Sequence, residues 1–385
     1  MTVEIYKIST ELFWNKGEDR DMKVITVTFH RAENYGAVLQ CFALQKVLQK
    51  MGCESEVLDL GQERQMYAPI FSNIRYIHRK VIFNFQRWCD RKVLFTRKNR
   101  FHAFINKNLL LTQHYSSVQE LYQNAPEADA FITGSDQVWN PEMYPELVPL
   151  YQLDFVKEGC WKYSYAASFG KFVPDEKSDI WNKLQTYTKV SVREQSALEM
   201  MKQHGIEARI DIDPVFFLEK KEWEAVACDI RNVYQLPNRF ILVFELIPRQ
   251  DMEAVVEQLR KEYDIEKVVV ISLSDKVEYY GDFCVRDAGP GELLGLIREA
   301  SVVVSTSYHG AMLSLIMEKE IYALPAAARE RYDNIFGLLD LDTRVVGLNE
   351  KVTIGDRIEY EKVNCALDNF RTQSAEYLKG IVNHE

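Results

Sequence analysis

The segment SVVVSTSYHGAMLSLIM, residues 301–317, carries the strongest chemical signal in the sequence. A run of valines enters three hydroxyl residues (Ser305, Thr306, Ser307), then Tyr308, His309 and Gly310, and an apolar helical stretch follows. A strand-to-helix turn of this kind aims free backbone N–H groups and the positive end of a helix outward, which favours phosphate or carboxylate. Gly310 lets a ligand come close to the backbone. Histidine titrates near neutral pH, as a group that gives or takes a proton must. The plainer alternative is a histidine at an ordinary helix cap, because hydroxyl residues are favoured at helix starts.

A second signal is AFITGSDQVWNP, residues 130–141, where an apolar run ends in Gly134, Ser135, Asp136 and Gln137. These side chains offer donors and acceptors suited to sugar hydroxyls; an Asx- or Ser-type turn explains them equally well. Arg193, in KVSVREQSALEMM, closes a strand just before a helix. It is either one half of an ion pair with Glu194 or a guanidinium fork turned into a cleft to hold phosphate or carboxylate. The loop Glu33, Asn34, Tyr35, Gly36 stands where the first βα unit would bind a ligand. It lacks the G-x-G-x-x-G fingerprint, and Asp59 lacks the glycines that would make it a ribose ligand, so no dinucleotide cofactor is expected.

The elements that must position these residues alternate. Residues 24–29 read as a strand, 37–51 as a helix stopped by Gly52, and 56–60 as the next strand, a βαβ unit with parallel strands. After an aromatic and basic interruption at about 62–114, strands follow at 128–133, 163–168, 189–193 and 208–212, with a helix at 194–204. A polar stretch, 229–238, reads as a linker. Beyond it a second series runs: strand 240–245, helix 251–263, strand 267–272, helix 291–300, strand 301–305, helix 309–318 and strand 321–324. The expected organisation is an extension (1–21), an N-terminal α/β domain (22–228), the linker, a C-terminal α/β domain (239–365), and a final helix (366–385) returning to the first domain. Ligands of doubly wound sheets lie outside the carboxyl ends of the strands, so two such domains facing each other place a cleft between them.

Bulk properties agree. The chain has 385 residues, two domains' worth at about 100–200 residues each. Its formal charge of −10 makes nucleic acid an unfavoured partner. The seven cysteines are odd in number, widely spaced and without a C-x-x-C pair, which points to a reducing cytosol and to neither a disulfide framework nor a zinc site. No signal peptide and no run of about 20 apolar residues is present, so a soluble, cytoplasmic protein is expected.

Taken in order, NYGAVLQCFALQKVL, GSDQVWNP, YAASFG, SVREQSALEMMKQHGI, DIDPVFFL, GPGELLGLIREA, STSYHGAMLSLIM and RERYDNIFGLLDLDTR resemble the polysaccharide pyruvyl transferase family over most of the chain. The resemblance implies two facing Rossmann-like doubly wound domains of the GT-B type. It implies phosphoenolpyruvate as donor substrate, no separate cofactor, a saccharide acceptor (lipid-linked in the fullest version of the reading), and a cyclic pyruvate ketal as product. On it, His309 and Arg193 are the expected catalytic pair, with Ser305, Thr306, Ser307, Gly310 and Ala311 around the donor. Asn34, Tyr35, Gly36, Gly134, Ser135, Asp136 and Gln137 fall on the acceptor side. Relatives often carry an arginine two residues before the histidine; here Ser307 stands there, and Arg331 or Arg329 is the candidate replacement. Two other readings share the architecture: a glycosyltransferase with a nucleotide-sugar donor, and a silent glycan-binding relative.

Residues 75–107 hold ten Lys or Arg and one acid, Asp90, so this stretch carries +9 and the rest of the chain −19. Aromatic residues are interleaved with the charges. Such a segment suits peripheral contact with an anionic membrane at the inner face, or it is a helical excursion that covers the N-terminal domain.

Overall fold

The runs Ile241–Glu245, Val268–Ser272 and Val302–Ser305 are buried at every position, the mark of parallel strands covered by helices on both faces. The computed structural model describes residues 22–61, 91–143, 145–272, 281–325 and 329–383. In the N-terminal half, β1 (Lys23–Val27), β2 (Glu54–Val57), β3 (Ala130–Thr133) and β4 (Trp161–Ser164) form a parallel sheet in the order β2-β1-β3-β4. A further parallel pair, β5 (Val190–Val192) and β6 (Ala208–Ile210), continues it through the bridges Tyr163–Lys189 and Ala167–Val192.

The C-terminal half contributes β7 (Ile241–Glu245), β8 (Val268–Ser272), β9 (Phe283–Val285), β10 (Val302–Ser305) and β11 (Glu320–Ala323), all parallel, in the order β11-β10-β7-β8-β9. Strand order reverses between β1 and β3 in one sheet and between β7 and β10 in the other. Those are the places where doubly wound sheets bind ligands.

The longer helices are α1 (Tyr35–Lys50), α2 (Arg91–Asn108), α3 (Gln195–Gln203), α4 (Met252–Tyr263), α5 (Pro290–Glu299), α6 (Tyr308–Ile316), α7 (Glu330–Leu338) and α8 (Tyr360–Val382). Thirteen of the sixteen residues of α1 are buried, and only Lys46, Gln49 and Lys50 at its end are partly exposed; a helix buried on nearly all sides must be enclosed. It is enclosed because it lies between the two halves. On the second half Tyr35 meets Phe244 edge-on at 5.4 Å and donates to the Ala288 carbonyl at 2.7 Å, and on the first Phe42 packs on Trp223 at 5.7 Å. One apolar core therefore runs from the first sheet into the second, while separate cores fill the far face of each.

Charge reinforces this boundary. Arg100 on α2 is paired with Asp287 at 2.9 Å and donates to the Tyr234 hydroxyl at 2.6 Å. Tyr234 lies in the stretch read as a linker. That stretch is held on the second half, with Ile230 fully buried and Arg231 paired with Glu299. Helix α8 starts at Tyr360, earlier than its sequence pattern indicated, and returns to the first half, where Tyr377 donates to the Ser164 carbonyl at 2.8 Å. Of the basic stretch 75–107, only 91–107 lies among the described residues. There Arg97 pairs with Glu33 and Arg100 with Asp287, so part of its charge holds the fold together.

Candidate active site

His309 enters the boundary on the first turn of α6 and lies against the first turn of α1. A Cβ built on Gly36 would sit 2.1 Å from His309 Nδ1. Glycine is thus required at position 36 by a ring from the opposite half. The other ring nitrogen, Nε2, lies 3.2 Å from Asp213 Oδ2. Asp213 follows β6, and its side chain is fully buried. The same Oδ2 accepts from Arg193 Nη1 at 2.9 Å, and Oδ1 accepts from the Val215 amide at 3.2 Å. Burial by itself would raise the Asp213 carboxyl. The adjacent His309 and Arg193 outweigh it and hold the group well below the usual carboxylate range, so it is ionised.

Arg193 emerges from the carboxyl end of β5, where the chain turns into α3. Its guanidinium lies over the Tyr308 ring at 5.8 Å. Asp136 and Glu194 stand at 3.6 and 3.9 Å, close enough for charge attraction but too far for hydrogen bonds. Nε and Nη2 of Arg193 and Oε2 of Glu194 are buried with no hydrogen-bond partner. Burial opposes the charge on Arg193, yet Glu194, Asp213 and Asp136 raise its pKa above the ordinary arginine value. Arg331, at the start of α7, completes the cluster with 2.5 Å to Glu194 Oε1 and 3.2 Å to Ser168 Oγ. Burial and the neighbouring Arg193 lower its pKa despite Glu194. Two guanidiniums and a histidine thus converge where both sheets end, with donor N–H groups left over.

The structure separates the sequence-derived candidates. Arg193, His309, Arg331 and Asp136 come together at the boundary, and Gly36 shapes it. The hydroxyl run is engaged within its own turn and by the backbone just past β7. Ser305 Oγ bridges the Ser307 amide and carbonyl, and Thr306 Oγ1 accepts from the Leu246 and Ile247 amides. Ser307 caps α6 by accepting from Gly310 N, and the Ala311 amide is bonded to the Ser307 carbonyl. A Cβ on Gly310 would meet Phe244 at 2.4 Å, so that glycine serves packing. The cap explanation therefore accounts for Ser305, Thr306, Ser307, Gly310 and Ala311, because a short turn into a buried helix has to satisfy its own donors.

On the acceptor side, Asn34 caps α1 through the Ala37 amide. Tyr35 is an interdomain strut, as described above. Ser135 is buried and donates to the Ala166 carbonyl. Gly134 has φ +107°, and a Cβ there would be 2.4 Å from the Tyr165 carbonyl. The Gln137 side chain accepts from Asn140. Arg329 is exposed and paired with Asp333 on its own helix, away from the cluster. Sequence reasoning missed Asp213, Glu194 as a cleft group, and Ser168. The available signal was the aspartate of DIDPV, placed just past the carboxyl edge of the sheet.

A family model described as polysaccharide pyruvyl transferase matches residues 34–325. No curated protein sequence matches the chain. Among solved structures, a putative UDP-N-acetylglucosamine 2-epimerase from Listeria monocytogenes is similar at TM-score 0.53 and 10% identity, covering 95% of this chain and 97% of that one. The UDP-GlcNAc 2-epimerase of Methanocaldococcus jannaschii gives 0.52 and 10%, covering 94% and 100%. What is shared at that identity is the fold: two doubly wound α/β domains facing one another in the GT-B manner.

Proposed function

The chain belongs to the polysaccharide pyruvyl transferase family, and on that footing we propose that it moves the three-carbon unit of phosphoenolpyruvate onto two hydroxyls of a sugar. The acceptor would be a cell-surface polysaccharide precursor and the product a cyclic pyruvate ketal with release of phosphate. The observation that carries this reading is the buried guanidinium of Arg193, with Nε and Nη2 unpartnered, beside a histidine held from the opposite half. A small, multiply charged anion satisfies those donors, and a titratable ring beside it suits an enol ether that must be protonated to react.

In this mechanism the donor carboxylate or phosphate sits on Arg193 and Arg331. His309 delivers a proton to the methylene carbon, and the adjacent carbon becomes an oxocarbenium-like electrophile. The first sugar hydroxyl adds there and returns its proton to His309. The carbon–oxygen bond to phosphate then breaks, the second hydroxyl adds to the cation that results, and its proton leaves with the phosphate. Preorganised cations facing the departing phosphate supply the electrostatic part of the catalysis. No cofactor is needed beyond the donor itself.

A nucleotide-sugar glycosyltransferase and a silent glycan-binding protein fit the same fold. The second leaves the unpartnered arginine N–H groups and the adjacent histidine without a purpose. Among the described residues no helix is long and apolar enough to cross a membrane. Action in the cytoplasm, with peripheral contact at the membrane face through the basic region, belongs to the proposal. The reading is tested by supplying phosphoenolpyruvate with a panel of free, nucleotide-linked and lipid-linked saccharides. Phosphate release is expected, with an acceptor mass gain equal to phosphoenolpyruvate less phosphoric acid. Glycosyl transfer from a nucleotide sugar instead would replace this donor.

A further inference from the structure

Asp213 is shared by two groups from different elements. Its Oδ2 takes Nη1 of Arg193 from the end of β5 and Nε2 of His309 from α6, and its Oδ1 is fixed by the Val215 amide. From this geometry we infer that Asp213 is a positioning residue that couples anion binding at Arg193 to protonation of His309. The inference rests on the proposed donor site and adds a rule for its order of events.

An ionised carboxylate only accepts, so the His309 nitrogen facing it carries the hydrogen. That fixes the tautomer, leaving Nδ1, above Gly36, as the atom that takes and gives the proton. Nδ1 is also the nitrogen turned toward α1, at the boundary between the halves. The coupling follows from charge. With His309 protonated, one aspartate faces two cations, Arg193 and the imidazolium, in a buried site.

Around them stand Tyr308 on α6, Glu194 and Asp136 on the first half and Arg331 on α7; α1 brings only Gly36 and the Tyr35 hydroxyl, already bonded to Ala288. Glu194 is itself engaged by Arg331 and Ser168. With His309 protonated, three cations face the three carboxylates Asp213, Asp136 and Glu194; an anion hydrogen-bonded to Nε and Nη2 of Arg193 adds negative charge beside the imidazolium and leaves Asp213 to it. Donor binding therefore raises the proton affinity of His309, and the acid is charged when the enol ether arrives. By reciprocity, lower pH tightens donor binding.

Calorimetric titration of the full chain with phosphoenolpyruvate, in buffers of different ionisation enthalpy near neutral pH, measures the proton taken up. The wild type is expected to take up more than His309→Gln, whose value reports the phosphate of the ligand alone. Asp213→Asn should reduce the difference. With the fold intact by circular dichroism, that variant should also lose up to about 10⁴-fold in kcat, the loss seen when a catalytic histidine's carboxylate partner is made an amide, with less change in KM. Its pH–rate limb for the acid should move to lower pH, since a negative charge beside the imidazole is gone. If wild type and His309→Gln take up equal protons, or Asp213→Asn changes only the melting temperature, the inference is overturned while the donor assignment stands. Absence of any phosphoenolpyruvate binding would instead overturn the donor assignment.

Discussion

Asp59, just past β2 in the N-terminal half, and Asp213 at the boundary are both buried carboxylates that accept from an arginine and from histidine. Around Asp59 every partner belongs to the same half. Arg31 gives two bonds at 2.7 and 2.6 Å, His114 lies at 3.1 Å and His30 at 3.4 Å. None of the buried side-chain atoms of that cage lacks a partner. Around Asp213 the histidine comes from the other half, and the arginine keeps two buried N–H groups unpartnered. A closed cage of this kind holds a loop in place. An open one keeps buried donors without hydrogen bonds, which a ligand can supply, and such unmade bonds are costly to maintain without function. Residue type does not distinguish the two cages; the difference lies in what remains unsatisfied and in which parts of the chain meet.

The largest expected effect falls on the open cage. His309→Ala should lower kcat by about 10²–10⁴-fold, the usual worth of a positioned acid or base, with melting little changed in a thermal scan. Equal turnover in this variant would make the two cages alike in function. Next, Gly36→Ala sets a methyl 2.1 Å from His309 Nδ1. Displacing the ring by about 1 Å should cost about 100-fold in rate, read in steady-state kinetics, while the same substitution at Gly355, where a Cβ comes no nearer than 4.0 Å to Thr343 Oγ1, serves as the quiet control.

Asp59→Asn should do the reverse. It leaves Arg31 facing an amide and is expected to cost about 3 kcal/mol in denaturant unfolding, with activity per folded molecule unchanged. Burial pushes the Asp59 carboxyl up, but His30, Arg31 and His114 outweigh it and hold it well below the ordinary range. Its folded pKa is therefore below its unfolded one. The stability it contributes is present above about pH 4, the unfolded carboxylate value, and is lost as pH falls toward the folded pKa. The acid limb of the stability profile should flatten in Asp59→Asn.

The smallest effect concerns Asp211, two residues before Asp213, where burial pushes the carboxyl up to about 6 despite its bond from Ser191 and its pairing with Arg209. Here the folded pKa lies above the unfolded one. Stability is lost as pH rises from about 4 to 6 and stays lost above that. Asp211→Asn should be more stable than the wild type by about 1–2 kcal/mol at pH 8 and indistinguishable near pH 4, measured by denaturant midpoints.

Much of the frame was legible in the sequence because parallel strands in covered sheets read as short β-branched runs and their helices as periodic ones. The strands 241–245 and 302–305, and the helix over 252–263, follow directly from that. The strand Phe283–Val285 escaped because it lies at the sheet edge, with Cys284 exposed and no apolar run to mark it. Helix α7 was not anticipated because the segment ERYDNIFGL alternates charge and aromatic residues with few strong helix formers. At the site, Arg193 and His309 were legible as polar residues at strand ends. The hydroxyls before His309 left two readings open in the sequence, since a cap and an anion cradle use the same residue types, and in the structure their bonds go to neighbouring backbone groups. Asp213 was hidden because an aspartate before a proline reads as a turn, and nothing local reveals that a histidine 96 residues later will reach it.

The central claim is that the open cage binds phosphoenolpyruvate, and the most direct measurement is thermal stability during titration with that compound and, separately, with nucleotide sugars. At 100 times its dissociation constant a ligand adds about 2.7 kcal/mol, a readily measured rise in melting temperature. The account predicts stabilisation by phosphoenolpyruvate in the wild type and in Asp59→Asn, and its loss in Arg193→Lys, which keeps the charge but not the fork. Stabilisation by a nucleotide sugar alone, or a phosphoenolpyruvate response that survives in Arg193→Lys, would contradict it.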